Sequence, residues 1–378
     1  MPEGRAGLAY VGIPTSATLS GPAYVCGLRQ DATDRTNLAI HNTGTPSEGI
    51  ITLRLTVFSG NPAAPSSETL PDVTLFPGRF YQINNTLQLN GLSLNSGYVR
   101  VERVSGTAPY YALIHDQANS DGVVVSPVPE SSLAGRTGLT LPMIVETSAS
   151  SSELVLTNWS ASKTSLRFAF VAEGIATQGF SANFVIALNP REQMILPNFV
   201  EWLRQRGVSG IGSANELQVG PLYVTVEGGD LDGIFLGART LQAGRLGRYS
   251  SFYAAVPFGM ASTTSTWVYG LQQNAENRTD LALVNTGDAD SAPNAFTVEL
   301  FDGETGLKVN TIERITLEAR SWMQLENLLA RYGPGTSQAY ARVTPTEGSN
   351  AFIAYAVISD GGHPGERSGD AAIVFSSP

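Results

Sequence analysis

The sequence predicts an all-β chain of three tandem antiparallel β-sandwich domains, each carrying one short helix. Three observations predict it. One pattern of residues recurs along the 378-residue chain. The recurring segments are short, alternate apolar with polar, and favour β-branched and aromatic residues, as half-buried strands do. Gly, Asn, Asp and Pro punctuate them, as in Asn42-Thr43-Gly44 and Asp302-Gly303-Glu304-Thr305-Gly306. About seven or eight strands in roughly 120 residues suits an immunoglobulin-like sandwich.

The pattern starts at Gly27-Leu28-Arg29-Gln30 and continues through Arg35-Thr36-Asn37-Leu38-Ala39-Ile40-His41-Asn42-Thr43-Gly44. At the same spacing, Gly270-Leu271-Gln272-Gln273 leads to Arg278-Thr279-Asp280-Leu281-Ala282-Leu283-Val284-Asn285-Thr286-Gly287. A weaker middle copy reads Ser152-Glu153-Leu154-Val155-Leu156-Thr157-Asn158-Trp159-Ser160. Further on, Phe80-Tyr81-Gln82-Ile83 matches Gln193-Met194-Ile195-Leu196 and Trp322-Met323-Gln324-Leu325. Gly97-Tyr98-Val99-Arg100-Val101 has counterparts in Pro221 to Val226 and in Ala339-Tyr340-Ala341-Arg342-Val343.

Each copy closes on an apolar segment ending in Pro: Val124 to Pro129, Phe252 to Pro257 and Ile373 to Pro378. A fourth such segment, Ala9-Tyr10-Val11-Gly12-Ile13-Pro14, opens the chain. The expected division is therefore an orphan closing strand in 1–14 and repeats over 15–129, 130–257 and 258–378. Ala9, Tyr10, Val11 and Ile13 could pair within their own chain or complete the sheet of another molecule.

A helix is expected after Asn198, with Phe199, Trp202, Leu203 and Arg206 on one face and Gly207 as its stop. Asn327 before Leu328 and Asn85 before Thr86 repeat the device, so Asn85, Asn198 and Asn327 read as side-chain helix caps. Asn42, Asn158 and Asn285 read as turn residues. Trp267 aligns with Tyr24 and is expected in the core.

Composition narrows the function. A net charge of −10 and the lack of any Lys/Arg-rich run oppose a nucleic-acid partner. Lys occurs only at Lys163 and Lys308. The one cysteine, Cys26, excludes an intramolecular disulfide and reads as a buried apolar residue. No apolar stretch approaches about 18 residues, so no membrane span is expected. The N-terminal residues do not read as a signal peptide.

No catalytic residues are expected. Gly-x-Ser-x-Gly and His-Glu-x-x-His are absent from the sequence. Ser160-Ala161-Ser162-Lys163 satisfies Ser-x-x-Lys but falls in a turn between strands rather than at a helix start. His41, His115 and His363 pair with no nucleophile in the sequence pattern. No cofactor is required, although Asp360, Glu366 and Asp370 could hold calcium. Trp159 occupies a turn where the other copies have Thr43 and Thr286, and could stack on a sugar ring.

The run Arg-Thr-Asn/Asp-Leu-Ala-Ile/Leu-x-Asn-Thr-Gly, followed by Gly/Ala-Tyr-x-Arg-Val and Tyr-Ala-x-Ile-x-Asp, resembles the β-sandwich repeats of large secreted bacterial surface proteins. The resemblance spans the chain and is best in its outer copies. It implies display outside the cell or on its surface. Tandem sandwiches, an acidic polar surface and the missing active-site motifs point to a non-enzymatic structural or adhesive role, with self-association or a cell-surface glycan as partner. A carbohydrate-binding module and an enzyme with a site between repeats are the alternatives.

Overall fold

The computed structural model describes residues 12–118, 121–172, 182–214, 216–243, 248–363 and 366–376. Of the expected opening strand, Ala9, Tyr10 and Val11 lie outside these residues. Ile13 stands in irregular, exposed chain.

Alternation decides how the strands face. In Ile51–Ser59, Ile51, Leu53, Leu55 and Val57 are fully buried while the residues between them are partly or fully exposed. This is the pattern of a strand with one wet face. The first repeat contains β1 (Ala23–Arg29), β2 (Asp34–Asn42), β3 (Ile51–Ser59), β4 (Ser67–Thr69), β5 (Val73–Leu75), β6 (Phe80–Ile83), β7 (Ser96–Ser105), β8 (Tyr110–Ala118), β9 (Asp121–Val125) and β10 (Val128–Pro129). The second contains β11 (Gly138–Glu146), β12 (Ser150–Asn158), β13 (Thr164–Phe170), β14 (Ala182–Leu188), β15 (Gln193–Leu196), α1 (Phe199–Gln205), β16 (Gln218–Val226), β17 (Ile234–Ala243), β18 (Arg248–Ala254) and β19 (Val256–Pro257). The third contains β20 (Thr266–Gln272), β21 (Asn277–Asn285), β22 (Asn294–Asp302), β23 (Lys308–Leu317), β24 (Trp322–Leu325), α2 (Leu328–Tyr332), β25 (Gln338–Glu347), β26 (Phe352–Asp360) and β27 (Ala371–Phe375).

The strands form antiparallel sheets packed as sandwiches. In the first repeat a back sheet runs β10-β1-β7-β3-β4, with β5 also on β3, and a front sheet runs β6-β2-β8-β9. The third repeat pairs likewise as β20-β25-β22-β23 and β24-β21-β26-β27. In the second, Glu146 pairs with Ser151 across the β11–β12 corner and joins front and back into one nine-stranded sheet. The expected closing strands divide in two. β9 and β18 extend the front sheets, while the Val-Pro pairs of β10 and β19 cross over to β1 and β11.

Three local devices recur. The register of the first back strand shifts between Val25 and Leu28, between Leu141 and Ile144, and between Val268 and Leu271. In the first and third repeats the bulge carries Gly27 and Gly270 at φ +84° and +76°, a conformation suited to glycine. A hydroxyl then clasps the strand end. Thr36 Oγ1 accepts the Arg29 N–H at 3.0 Å and Thr279 Oγ1 accepts that of Gln272 at 2.8 Å. In the middle copy Ser152 Oγ accepts the Val145 N–H at 2.9 Å. Finally, Asn42, Asn158 and Asn285 are fully buried and tie turns together. Their Oδ1 atoms accept the N–H of Gly44, Ser160 and Gly287, and their Nδ2 atoms donate to backbone carbonyls.

Asn85, Asn198 and Asn327 depart from expectation. They precede the helical turns, but their side chains make no capping bond, and φ is 50°, 48° and 49°. Asparagine is used there because it tolerates the left-handed region. The first-repeat turn, Thr86–Gln88, is a 3₁₀ turn rather than an α-helix. In α1, Phe199 and Leu203 are buried, and Arg206 lies 4.2 Å over the Trp202 ring as the shared face requires.

Candidate functional site: the faces between repeats

The hydrophobic cores do not stop at the repeat boundaries. The first contains Val155 and Phe235 of the second repeat. The second contains Ala282, Val284, Ile353 and Tyr355 of the third. Register explains the choice. Val155 and Ala282 hold one position of the second front strand, and Phe235 and Ile353 hold one position of its neighbour. These side chains point out of their own sandwich. Each front sheet thus leans its outer face on the back of the repeat before it.

The first junction is interlocked by polar groups as well. The bulge at Gly27 frees a backbone N–H, which donates to Gln193 Oε1 at 2.7 Å. Gln193 Nε2 donates to the Leu28 carbonyl at 3.1 Å and to Ser96 Oγ at 2.8 Å. Thr157 donates to the same Oε1 at 3.1 Å. Nearby, Arg29 grips Glu153 with both prongs at 2.6 and 2.8 Å, both side chains being buried. Asp34 receives Arg239, which is fully buried, at 3.0 Å and Arg248 at 2.8 Å. Buried ions need such pairing because desolvation is costly. Gly237 lets this face stay flat, since a Cβ there would meet Phe252 and Phe235 at 2.5 and 3.0 Å.

Trp159 belongs to this junction. Its ring stacks on Tyr24 with centroids 4.4 Å apart and planes at 16°. Burial and the Glu130 carboxylate push the Tyr24 phenol up to about 12. The side chain expected to await a sugar is therefore covered on one face by its own chain.

The second junction is laid out likewise. Tyr223 donates its hydroxyl to the Asn285 carbonyl at 3.0 Å, Arg320 lies 5.6 Å over the Tyr223 ring, and Trp322 Nε1 donates to Tyr355 at 2.8 Å. A cleft of about 650 Å³ opens here, lined by Met143, Val145, Leu217, Val219, Val357 and Ile373 with Arg278, Asp280, Arg367 and Asp370. Its charged groups are engaged. Arg278 donates to the Gly361 carbonyl at 3.1 Å, Arg367 pairs with Asp360 at 2.9 Å, and Asp280 accepts the Asn327 N–H at 2.7 Å. Burial raises the Asp280 carboxyl above its usual value, against the pull of the Asn327 N–H and Arg278.

The proposed calcium residues are not brought together as a cage. Asp360 is held by Arg367 and by the N–H and hydroxyl of Ser368, while Glu366 turns back to the His363 N–H. Among the described residues no group of three or more His, Cys, Asp or Glu side chains is placed to hold a metal ion. Ser160 of the Ser-x-x-Lys run donates to Asn158 Oδ1 and serves the turn. His41 is exposed on the front sheet of the first repeat. No helix among the described residues is long and apolar enough to cross a membrane.

Among the described residues no repeat covers the two outermost faces. On the back of the third repeat Trp267, Tyr269, Phe301 and Tyr340 form one aromatic cluster with centroids 5.2–6.3 Å apart, and Arg342 lies 5.6 Å over Trp267. Trp267 was expected in the core; it is half-buried and faces outward, because the strand register puts Val268 inside. On the front of the first repeat Phe80 stands 66% exposed.

The junction residues Gln193, Arg29, Glu153, Asp34, Arg239 and Arg248 are not singled out by sequence reasoning. Their one local signal is a charge inside an apolar strand, as in Phe235-Leu236-Gly237-Ala238-Arg239.

No family model and no curated protein matches the chain. The solved structure of Thermotoga maritima 1070 is similar over 32% of this chain and 93% of its own, at 11% identity and a TM-score of 0.24. The fold assignment here rests on the strand pairing.

Proposed function

We propose that the chain is a non-enzymatic structural or adhesive module of a secreted bacterial surface protein, acting as a stiff spacer built of stacked sandwiches. The observation that carries this reading is the sharing of hydrophobic cores between successive repeats, reinforced at the first junction by buried ion pairs. Domains joined by polar linkers move relative to one another, whereas a large apolar interface holds them as one body. The acidic, Lys-poor surface suits a protein that stays soluble outside the cell.

Scanning calorimetry tests the reading. A stiff stack unfolds in one cooperative transition with equal calorimetric and van't Hoff enthalpies. Three resolved transitions would mean independent domains and would remove the spacer role. Antibody labelling of intact source cells tests surface display, and signal only after permeabilisation would place the protein inside.

A further inference from the structure

We propose that the chain associates head to tail, the open aromatic face of its third repeat seating the open front face of the first repeat of a second copy. The proposal rests on the structural reading above and names its partner.

The chain itself performs this docking twice. Register places Trp267 at the position of Tyr24 and Thr140, and Arg342 at that of Arg100 and Tyr223. Where a repeat follows, these back faces are closed: Tyr24 is 7% exposed, Tyr98 1%, Thr140 1% and Tyr223 2%. On the third repeat the same face is open, with Tyr269 at 50%. It also carries more aromatic surface than either covered face. An exposed apolar patch of this kind marks an interaction site.

The other end supplies the matching face. On the front of the first repeat Ala39 holds the position of Val155 and Ala282, and Tyr111 that of Phe235 and Ile353. Phe80 holds the position of Gln193 and Trp322. All of those counterparts reach into the preceding repeat. At the positions of the first junction's Arg29–Glu153 pair these two faces are uncharged: Asn37 stands where Glu153 does, and Gln272 where Arg29 does. The two faces differ, so the contact is heterologous and extends into open chains unless the rotation closes a ring.

Sedimentation of the full chain over a concentration series tests this with two variants, Tyr269→Glu and Phe80→Glu, at exposed positions where the fold tolerates change. Circular dichroism confirms folding, and Tyr269→Ser replaces the first variant if it melts early. The wild type should grow in mass with concentration. Each variant alone should weaken association by at least ~10-fold. An equimolar mixture should recover one intact contact and stop at heterodimers.

A wild type that stays monomeric to its solubility limit, or a mixture that fails to pair, overturns the proposal. So does assembly that survives both variants but is lost on deleting residues 1–11, which would assign it to strand addition. Quenching of tryptophan fluorescence by oligosaccharides in a chain that remains monomeric would give the face to a sugar instead. Failure here leaves the calorimetric test of stiffness untouched, so the two readings fall separately.

Discussion

Removing the Glu153 carboxylate should loosen the first junction. Glu153 and Arg29 are 124 residues apart in sequence and meet through a charge-assisted hydrogen bond at 2.8 Å and a second ion-pair contact at 2.6 Å, with side chains 5% and 7% exposed. An exposed pair would contribute about 0–1 kcal/mol. Taking one partner from a buried pair costs about 3–5 kcal/mol, because the remaining charge has lost its counter-ion in a poorly solvated place. Glu153→Ala should therefore lower the unfolding free energy from urea titration by about 3–5 kcal/mol. The double variant Arg29→Met/Glu153→Leu removes both charges and refills the space with apolar atoms. It should recover most of the loss or exceed the wild type by about 1–4 kcal/mol. A single-variant loss below about 1 kcal/mol, or a double variant worse than either single, would refute the reasoning.

Gln193→Leu keeps the volume but strips the bonds to the Gly27 N–H, the Leu28 carbonyl and Ser96. A buried polar group left unpaired costs about 1–3 kcal/mol, so urea titration should show at least that loss, and an unchanged midpoint would count against the interlock. Asp280→Asn should leave stability unchanged near pH 4 and raise it near neutrality. Burial raises the Asp280 carboxyl in the folded state above its unfolded value. The favourable contribution is thus complete below the unfolded pKa of about 4 and is lost as pH climbs through the folded value. Thermal melts from acid to neutral pH should show the gap between variant and wild type widening as pH rises, and a gap that narrows would reverse the sign. Asn37, whose Oδ1 accepts the Asn85 N–H at 3.1 Å, already does this work with an amide in the first repeat.

The all-β class was legible because alternation and turn residues are local. The recurrence was legible because the clasp and turn devices sit at fixed spacing. Asn42, Asn158 and Asn285 could be placed in turns from neighbours a few residues away. The junctions could not be read that way. Gln193 aligns with Phe80 and Trp322, yet its bonds across the junction are made to residues 97 to 166 positions distant. Trp159 and Trp267 were exchanged for the same reason. The sequence pattern tells which residues leave their own sandwich, but not whether another sandwich covers them. Asn198 and its counterparts show a subtler limit, since asparagine suits both a capping side chain and a left-handed backbone.

The middle copy meets a repeat on each of its two faces. Its back face meets the third repeat and its front face meets the first; β11 is buried over all but its last residue, as β1 is throughout. Its outward positions are buried: Thr140, Val155, Arg239 and Tyr223 are 1%, 0%, 0% and 2% exposed. What the pattern keeps is the internal wiring. Ser152 stands where Thr36 and Thr279 do and accepts the same backbone N–H, although the Arg-Thr pair is gone. The middle copy thus keeps the internal wiring of its neighbours while its outward side chains serve the faces it meets.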